Sequence, residues 1–583
     1  MSDIHSPEIY EVDYSAKALS ALKHDLSEKS RQAEKLIFEY PTVYIINHKE
    51  NHGISVYVGE TANISRRTIQ HLGEDSPDKQ DWLKINRAEN VKMFVVGHDF
   101  FNKSLTLDIE NKLMLYMSTL DGVKNLYNRR SNDQNDYYTS DMLDDIFSKV
   151  WCKLREKNRE LFPLERLVKD SALFKASPFH KLTKEQTDAK DKIHLKILEA
   201  LTRDIDEQLI FVDGAAGTGK TVLLSSLFYD LFKEDNEYDP IYRQKKNYLL
   251  VNHDEQLNVY QQIMEKLGVL KNNKQSVTKP TSFINKVSPE EKADVVLIDE
   301  GHLLLTQGKQ SYRGKNHLED ILKRAKVVIL IFDKNQILTT EQYWEDHKLI
   351  AYQQEARVRD NYIELKNQIR INAEQKTINW IRTLVDHQHV LPVPNDSRYD
   401  LRIMDTPEAL NDLIEVKAKD QEYGLSRLLA TYDWPYSSNK LDSKNEYWKV
   451  KIDNWTKPWN LLSHEPKDIK RKIKGLAWAE QPQTINQVGS TFTIQGFDLN
   501  YAGVIIGPSV VYRNGKVQFR PSKSANKKAT RRRTLDDGSK QSFGDTFLRN
   551  ELNVLLTRGV NGLYIYAVDN ELREALLKAD LRL

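Results

Sequence analysis

The 583-residue chain is predicted to be an α/β protein, a small α+β domain followed by two domains built on parallel sheets. Three observations carry this. Apolar runs of strand length at 209–213, 248–252, 294–298 and 327–332 alternate with helix-like sequence, the pattern of a parallel sheet with crossover helices. The first of them enters DGAAGTGKT, a complete GxxxxGK[ST] loop from Gly214 to Thr221. Nearer the N-terminus, PTVYIIN and GISVYVGET are β-branched runs separated by a turn at Asn51, His52 and Gly53, which predicts a hairpin.

In chain order, residues 1–40 read as a polar helical extension. Residues 41–130 form a compact domain: the hairpin, a helix from Asn63 to Leu72, a strand at Val91–Val96, and an amphipathic helix around 105–120 with Ile109, Leu113, Tyr116 and Met117 on one face. Residues 131–180 read as a linker with connecting helices, 181–365 as the first parallel-sheet domain, and 366–583 as the second, with an insertion around 431–480. Division into several domains is expected because single cores rarely grow past about 250 residues.

Composition narrows the function classes. With 39% apolar and 29% charged residues and a mean hydropathy of -0.62, the chain reads as soluble and globular. A net charge of +2 excludes a polycationic body, so any nucleic-acid contact must come from local basic patches. The single cysteine, Cys152, excludes an internal disulfide and a cysteine zinc site and fits a reducing compartment. No signal region is seen and the apolar stretches are strand-sized, so the expectation is a cytoplasmic protein with no membrane partner.

The chemistry begins in the glycine loop. Gly214, Ala215, Ala216, Gly217, Thr218 and Gly219 present backbone N–H groups to phosphate oxygens, Lys220 neutralises the β/γ charge, and Thr221 offers its hydroxyl to Mg2+. ADVVLIDEGH delivers Asp299 and Glu300 to the carboxyl end of a strand, where open α/β sheets bind ligands: Asp299 to hold the metal, Glu300 to orient or deprotonate the attacking water. VVILIFDKNQ ends another strand at Asp333 and Gln336, with the glutamine placed to sense the γ-phosphate.

These residues resemble the superfamily 1 helicases, and more closely the Schlafen-like group of bacterial DNA/RNA helicase-type ATPases, over roughly 175–583. The resemblance implies two RecA-like domains using ATP and Mg2+. It also implies roles: Gln186 in LTKEQ reads adenine, and Arg370 in QIRIN meets the γ-phosphate. Gln495, Gly496 and Asp498 in STFTIQGFDLN couple ATP to the nucleic-acid strand, and Arg558 in ELNVLLTRGV is an arginine finger. One departure is YLLVNHDEQLN at 248–258, which lacks the Thr-rich strand-contacting pattern and so separates ATP hydrolysis from duplex unwinding. In the insertion, Trp434, Trp448, Trp455, Trp459 and Trp478 are expected to be mostly core, beside the basic run KDIKRKIK at 467–474. PSKSANKKATRRRT at 521–534 is the strongest positive patch and reads as a mobile loop, either touching phosphates or simply solvated.

In the first domain the order Tyr44, then Tyr57 with Gly59, then Arg67 with His71 one turn on, then Glu110 resembles the GIY-YIG nuclease domain over about 40–130. The resemblance implies that Glu110 binds a catalytic metal (Mg2+, with Mn2+ as the alternative) and Arg67 stabilises the pentacovalent phosphate. Tyr44 or Tyr57 would activate water and His71 assist, with Asn128 a weaker candidate. Thr42, Val43 and Val58 depart from the motif but suit strands. The whole reads as a metal-dependent DNA endonuclease joined to an ATP-driven translocase or helicase, suited to defence against phage or plasmid DNA. RNA is the alternative partner, an ATP-gated sensor with a non-cleaving first domain is the rival function, and oligomeric state is left open.

Overall fold

The computed structural model describes residues 4–50, 53–72, 79–127, 137–232, 242, 245–268, 275–309, 311–419, 424–437, 447–460, 473 and 476–580. Two compact units result, one of residues 1–182 with 259–274 and one of residues 183–258 with 275–583.

The first unit is organised by a mixed sheet of order β1-β4-β2-β3-β5, with β1 Glu8–Asp13, β2 Thr42–Glu50, β3 Gly53–Thr61, β4 Lys92–Gly97 and β5 Val123–Leu126. The expected hairpin is β2–β3, and its antiparallel register sets Tyr44 opposite Gly59 and Ile46 opposite Tyr57. Because side chains alternate across a strand, Tyr44, Ile46 and Tyr57 share one face. Gly59 is required there, since a Cβ would lie 2.5 Å from the Tyr44 phenol. That face packs with Leu19, Leu26, Ile37, Ile64 and Trp82 from four helices, Ala16–Lys29, Arg31–Phe38, Ile64–Leu72 and Lys79–Arg87. On the opposite face Phe94 meets Phe162, Phe162 meets Trp151, and Trp151 meets Tyr116 of the helix Lys103–Thr119, with ring centroids 5.4, 5.4 and 4.8 Å apart.

One segment differs from expectation. Residues 1–40 are not wholly helical, because β1 pairs antiparallel with β4 along its whole length; a six-residue edge strand is too short to show a pattern against the helices that follow it. The connecting helices expected in 131–180 include Leu143–Lys157, which buries Phe147, Val150, Trp151 and Leu154 completely or nearly so.

In the second unit a six-stranded sheet of order β11-β6-β10-β9-β7-β8 is parallel throughout. Its strands are β6 Gln208–Gly214, β7 Asn247–Val251, β8 Val277–Thr278, β9 Ala293–Asp299, β10 Ala325–Phe332 and β11 Tyr362–Leu365, and they include all four expected runs. β10 is central and is covered on both faces, which explains its unbroken VVILIF sequence. A second all-parallel sheet follows in the order Asp400–Ile403, Gly559–Ala567, Leu499–Ile506, Ser426–Ala430, Val488–Gly489. Trp459 and Trp478 are fully buried, and Trp434, Trp448 and Trp455 pack on the core of that second sheet, as expected for core tryptophans.

The basic stretch 521–534 is not a free loop. Arg533 is buried and donates to Thr306 Oγ1 at 2.8 Å, Thr306 O at 3.1 Å and Thr340 O at 2.6 Å, while Ala525 N donates to Tyr432 O at 2.9 Å. Arg531 donates to Thr340 Oγ1 and pairs with Glu341. Arginine reaches buried carbonyls as readily as phosphate, a distinction that charge counting does not make. Asn128, Asn51 and His52, and 467–474 apart from Ile473, lie outside the described residues. No helix among the described residues is long and apolar enough to cross a membrane.

Candidate functional site

The parallel order β6-β10-β9 places three strand ends side by side, so the glycine loop after β6, Asp333 after β10 and Asp299 at the end of β9 meet at one edge. In the loop, Gly217 and Gly219 hold φ of 87° and 73°, a region that favours glycine. Lys220, at the start of the helix Lys220–Phe232, is buried and donates to Gly214 O at 2.7 Å and Ala215 O at 2.8 Å, with Asp333 Oδ2 at 3.9 Å. Gln186 is also buried. Its oxygen accepts from Thr183 N at 2.9 Å in a capping box, and its amide donates to Gly219 O at 3.2 Å, so this side chain holds the loop rather than reaching outward. The Arg370 segment lies on the same loop, with Ile369 N and Arg370 N both donating to Gly217 O at 2.8 and 3.2 Å.

The acids are held as firmly. Asp299 accepts from Glu300 N at 2.9 Å on one oxygen and from Gln256 Nε2 at 2.6 Å on the other. Glu300 sits in a left-handed conformation, φ 50°, and its carboxylate is 3.4 Å from His302 Nε2, which in turn is 3.1 Å from the Gln495 amide. Burial holds His302 below its ordinary pKa, so the ring is neutral at pH 7. A second chain runs from Arg558 Nη2 to Gln336 Oε1 at 3.1 Å and from Gln336 Nε2 to Asp333 Oδ2 at 2.8 Å. Burial first, and then Arg370, lowers the Arg558 pKa to about 10, so the guanidinium stays charged at pH 7. Arg370 Nε pairs with Asp498 at 2.7 Å, while its buried Nη1 has no hydrogen-bond partner among the described residues.

This donor set fits a magnesium nucleotide. Thr221 and Asp299 are hard oxygen ligands of the kind Mg2+ takes, Lys220, Arg370 and Arg558 surround them with positive charge, and the orphaned Arg370 Nη1 is a donor in want of an anion. Gly496, φ 86°, lies beside Gln256, whose Oε1 would be 3.4 Å from a Cβ at 496.

In the first unit, Tyr44 and Tyr57 stack with ring centroids 6.0 Å apart, and Tyr44 O–H lies 3.1 Å from His71 Nε2. The Arg67 guanidinium interacts with both phenols, and its buried Nε has no hydrogen-bond partner among the described residues. Burial, reinforced by Arg67, lowers the His71 pKa to about 3, and burial raises Tyr44 well above 10. Tyr44 is therefore a protonated phenol beside a neutral imidazole. Glu110 is buried on Lys103–Thr119, one turn beyond Thr106, whose hydroxyl comes within 3.5 Å of Glu60, the residue after Gly59. Its helix packs against β3, β2 and β5.

Three participants were not legible in sequence. Gln256 and His302 are ordinary polar residues, and only the folded strand ends reveal what they touch. Trp82 stacks on His71 at 3.6 Å between centroids and closes over the tyrosine cluster; a lone tryptophan in KQDWLKINR carries no signal of that.

Residues 207–569 match the family model described as Schlafen group 3, DNA/RNA helicase domain. The chain is 35% identical over 404 residues to the uncharacterized protein YPL245W of Saccharomyces cerevisiae, covering 64% of this chain and 84% of that protein. That relative is eukaryotic, where the resemblance read from sequence pointed to a bacterial group. Among solved structures, one of DNA unwinding at forked dsDNA by two coordinating Pif1 helicases aligns at 12% identity, 67% of this chain, 94% of that chain and TM-score 0.26. The Pif1 helicase from Candida albicans aligns at 12%, 68%, 96% and TM-score 0.24. The family match spans more than half of the sequence, and the chain belongs to the Schlafen group 3 DNA/RNA helicase-domain family.

Proposed function

We propose that this protein is an ATP-driven nucleic-acid translocase or helicase whose first unit is a GIY-YIG-type, metal-dependent nuclease acting on DNA. The observation that carries the ATPase reading is the meeting of Lys220, Asp299, Glu300, Arg370 and Arg558 at one edge, although they come from segments spread over 339 positions of sequence. Thr221 and Asp299 would hold magnesium, which supplies charge neutralisation at the phosphate oxygens. Lys220 exchanges its carbonyl partners for phosphate, Glu300 accepts the proton of the attacking water, and Arg558 steadies developing charge. Because Arg558 follows the helix Gly544–Leu556 and leads into the second sheet, its contact with Gln336 makes site assembly and second-sheet position one event.

For cleavage, Glu110 would hold the metal and Arg67 would meet the phosphate. At rest Tyr44 is a protonated phenol and His71 a neutral, weakly basic imidazole. The phenol would become a base on losing its proton, and the neutral His71 Nε2, 3.1 Å away, is within reach to accept it. A second reading, a sensor whose first unit binds without cutting, is favoured by one observation: Trp82 packs directly on His71, leaving His71 4% exposed and Tyr44 1%. The pairing of a motor with a nuclease suits defence against phage or plasmid DNA.

Supercoiled plasmid with magnesium, with and without ATP, tests the reading. Glu110→Ala should abolish nicking and keep ATPase, and Lys220→Ala should lower ATP turnover by about 100-fold or more and keep metal-dependent binding. Wild-type protein that hydrolyses ATP in response to DNA yet never nicks would move the assignment to the sensor.

The anchored basic stretch adds a partner prediction. Lys523, Lys527, Lys528 and Arg532 are exposed, and no ion pair engages any of them among the described residues. If this face tracks a single strand, replacing all four with alanine should flatten the plot of log affinity against log salt by about 0.7 per lost phosphate contact, near 3 in total. An unchanged slope would return these residues to a solvated surface.

A further inference from the structure

We propose that Gln256 is a positioning residue for the magnesium ligand Asp299 and ties that ligand to the Gln495–Gly496 segment; the assignment rests on the nucleotide-site reading above. Gln256 stands in the first turn of the helix Asp254–Lys266, directly after β7, and is 5% exposed. Its amide can face Asp299 in one sense only, nitrogen toward carboxylate, because oxygen toward oxygen would repel. The resulting 2.6 Å bond to Oδ2 complements the 2.9 Å bond from Glu300 N to Oδ1. One donor on each oxygen fixes the carboxylate plane.

The other end of the amide looks the opposite way. Gly496 has no side chain to separate its backbone from Gln256 Oε1, which a Cβ there would approach to 3.4 Å. Adjacent Gln495 has its amide nitrogen 3.1 Å from His302 Nε2, and the Glu300 carboxylate lies 3.4 Å from the same nitrogen. The Gln495–Gly496 segment therefore lies against a neighbour of each acid at the end of β9, Gln256 beside Asp299 and His302 beside Glu300, so a shift of that segment would disturb both. HDEQLN at 253–258 lies where the sequence lacks a Thr-rich strand-contacting pattern; the structure assigns its glutamine to the metal site instead.

Partners that orient a metal-binding carboxylate typically cost 10–100-fold in metal affinity when removed. The test is nucleotide binding by a fluorescent ATP analogue, in EDTA and across a magnesium titration, using the full chain. Gln256→Met keeps length and volume but has no donor. It should leave affinity in EDTA within about twofold and raise half-saturating magnesium by about 10–100-fold. Gln256→Asn, which keeps the amide but withdraws it by one methylene, should do the same, and guards against a packing artefact of methionine. Asp299→Asn separates the two layers of the argument. If it weakens magnesium while both Gln256 variants, folded, titrate like wild type, the positioning role is wrong and the site stands. If Asp299→Asn also leaves the titration unchanged, the site reading falls and this inference with it.

Discussion

Replacing Arg558 by lysine should lower kcat for ATP hydrolysis by about 1000-fold, with ATP affinity changed by less than about threefold. The charge survives the substitution and the fork does not. Arg558 spends Nε on Val554 O at 3.0 Å and Nη1 on Phe497 O at 3.3 Å, leaving Nη2 for Gln336 at 3.1 Å. A lysine ammonium reaches less far and cannot hold three such directions at once. Through Gln336 and Asp333 the guanidinium is linked to the neighbourhood of Lys220, so its loss is felt when charge develops on the phosphate and much less when ATP first binds. Steady-state ATPase with separate nucleotide titrations checks this, alongside a melting curve, because each lost bond to a buried carbonyl costs about 1–3 kcal/mol. A kcat within tenfold of wild type would remove Arg558 from the site.

The second large effect is on stability against pH. Glu551 is fully buried; one oxygen accepts from Tyr432 N at 3.0 Å and Thr491 Oγ1 at 3.4 Å, and the other has no hydrogen-bond partner among the described residues. Burial, with Asp433 nearby, raises its pKa from 4.5 to about 8, and burial raises Asp433 to about 6. A carboxyl whose folded pKa lies above its unfolded one contributes fully below the unfolded value, here pH 4.5. Above that the unfolded chain ionises first, and the contribution is lost as the pH climbs through the folded pKa near 8. Glu551→Gln cannot ionise, so it should melt at about the wild-type temperature at pH 5 and several degrees higher at pH 8.5, for a difference on the order of several kcal/mol. Equal shifts at both pH values would show that Glu551 does not titrate in this window.

How much of this was readable beforehand depends on the range of the interaction. The loop Gly214–Thr221, the strands ending at Asp299 and Asp333, and the hairpin bearing Tyr44 and Tyr57 are local patterns, in which neighbouring residues dictate backbone geometry and burial. Their existence and positions were legible to within a residue or two. β1 was not, because an edge strand of six residues is defined by its partner β4, about 84 positions away. Arg533 was read as part of a mobile loop, touching phosphates or solvated, because charge is visible in a sequence and the carbonyls of Thr306 and Thr340 that receive it are not.

The sequence by itself determined the α/β class, the phosphate-binding loop, the acids at strand ends and the aromatic hairpin, since each follows from spacing along the chain. Only the tertiary structure decided that β6, β10 and β9 are neighbours, that Gln256 holds Asp299, that Gln186 is spent on the glycine loop, and that Trp82 covers His71. Strand order and side-chain pairing are set by contacts between residues tens to hundreds of positions apart. Their free energy is the sum over one packed arrangement, and no local window of sequence contains it.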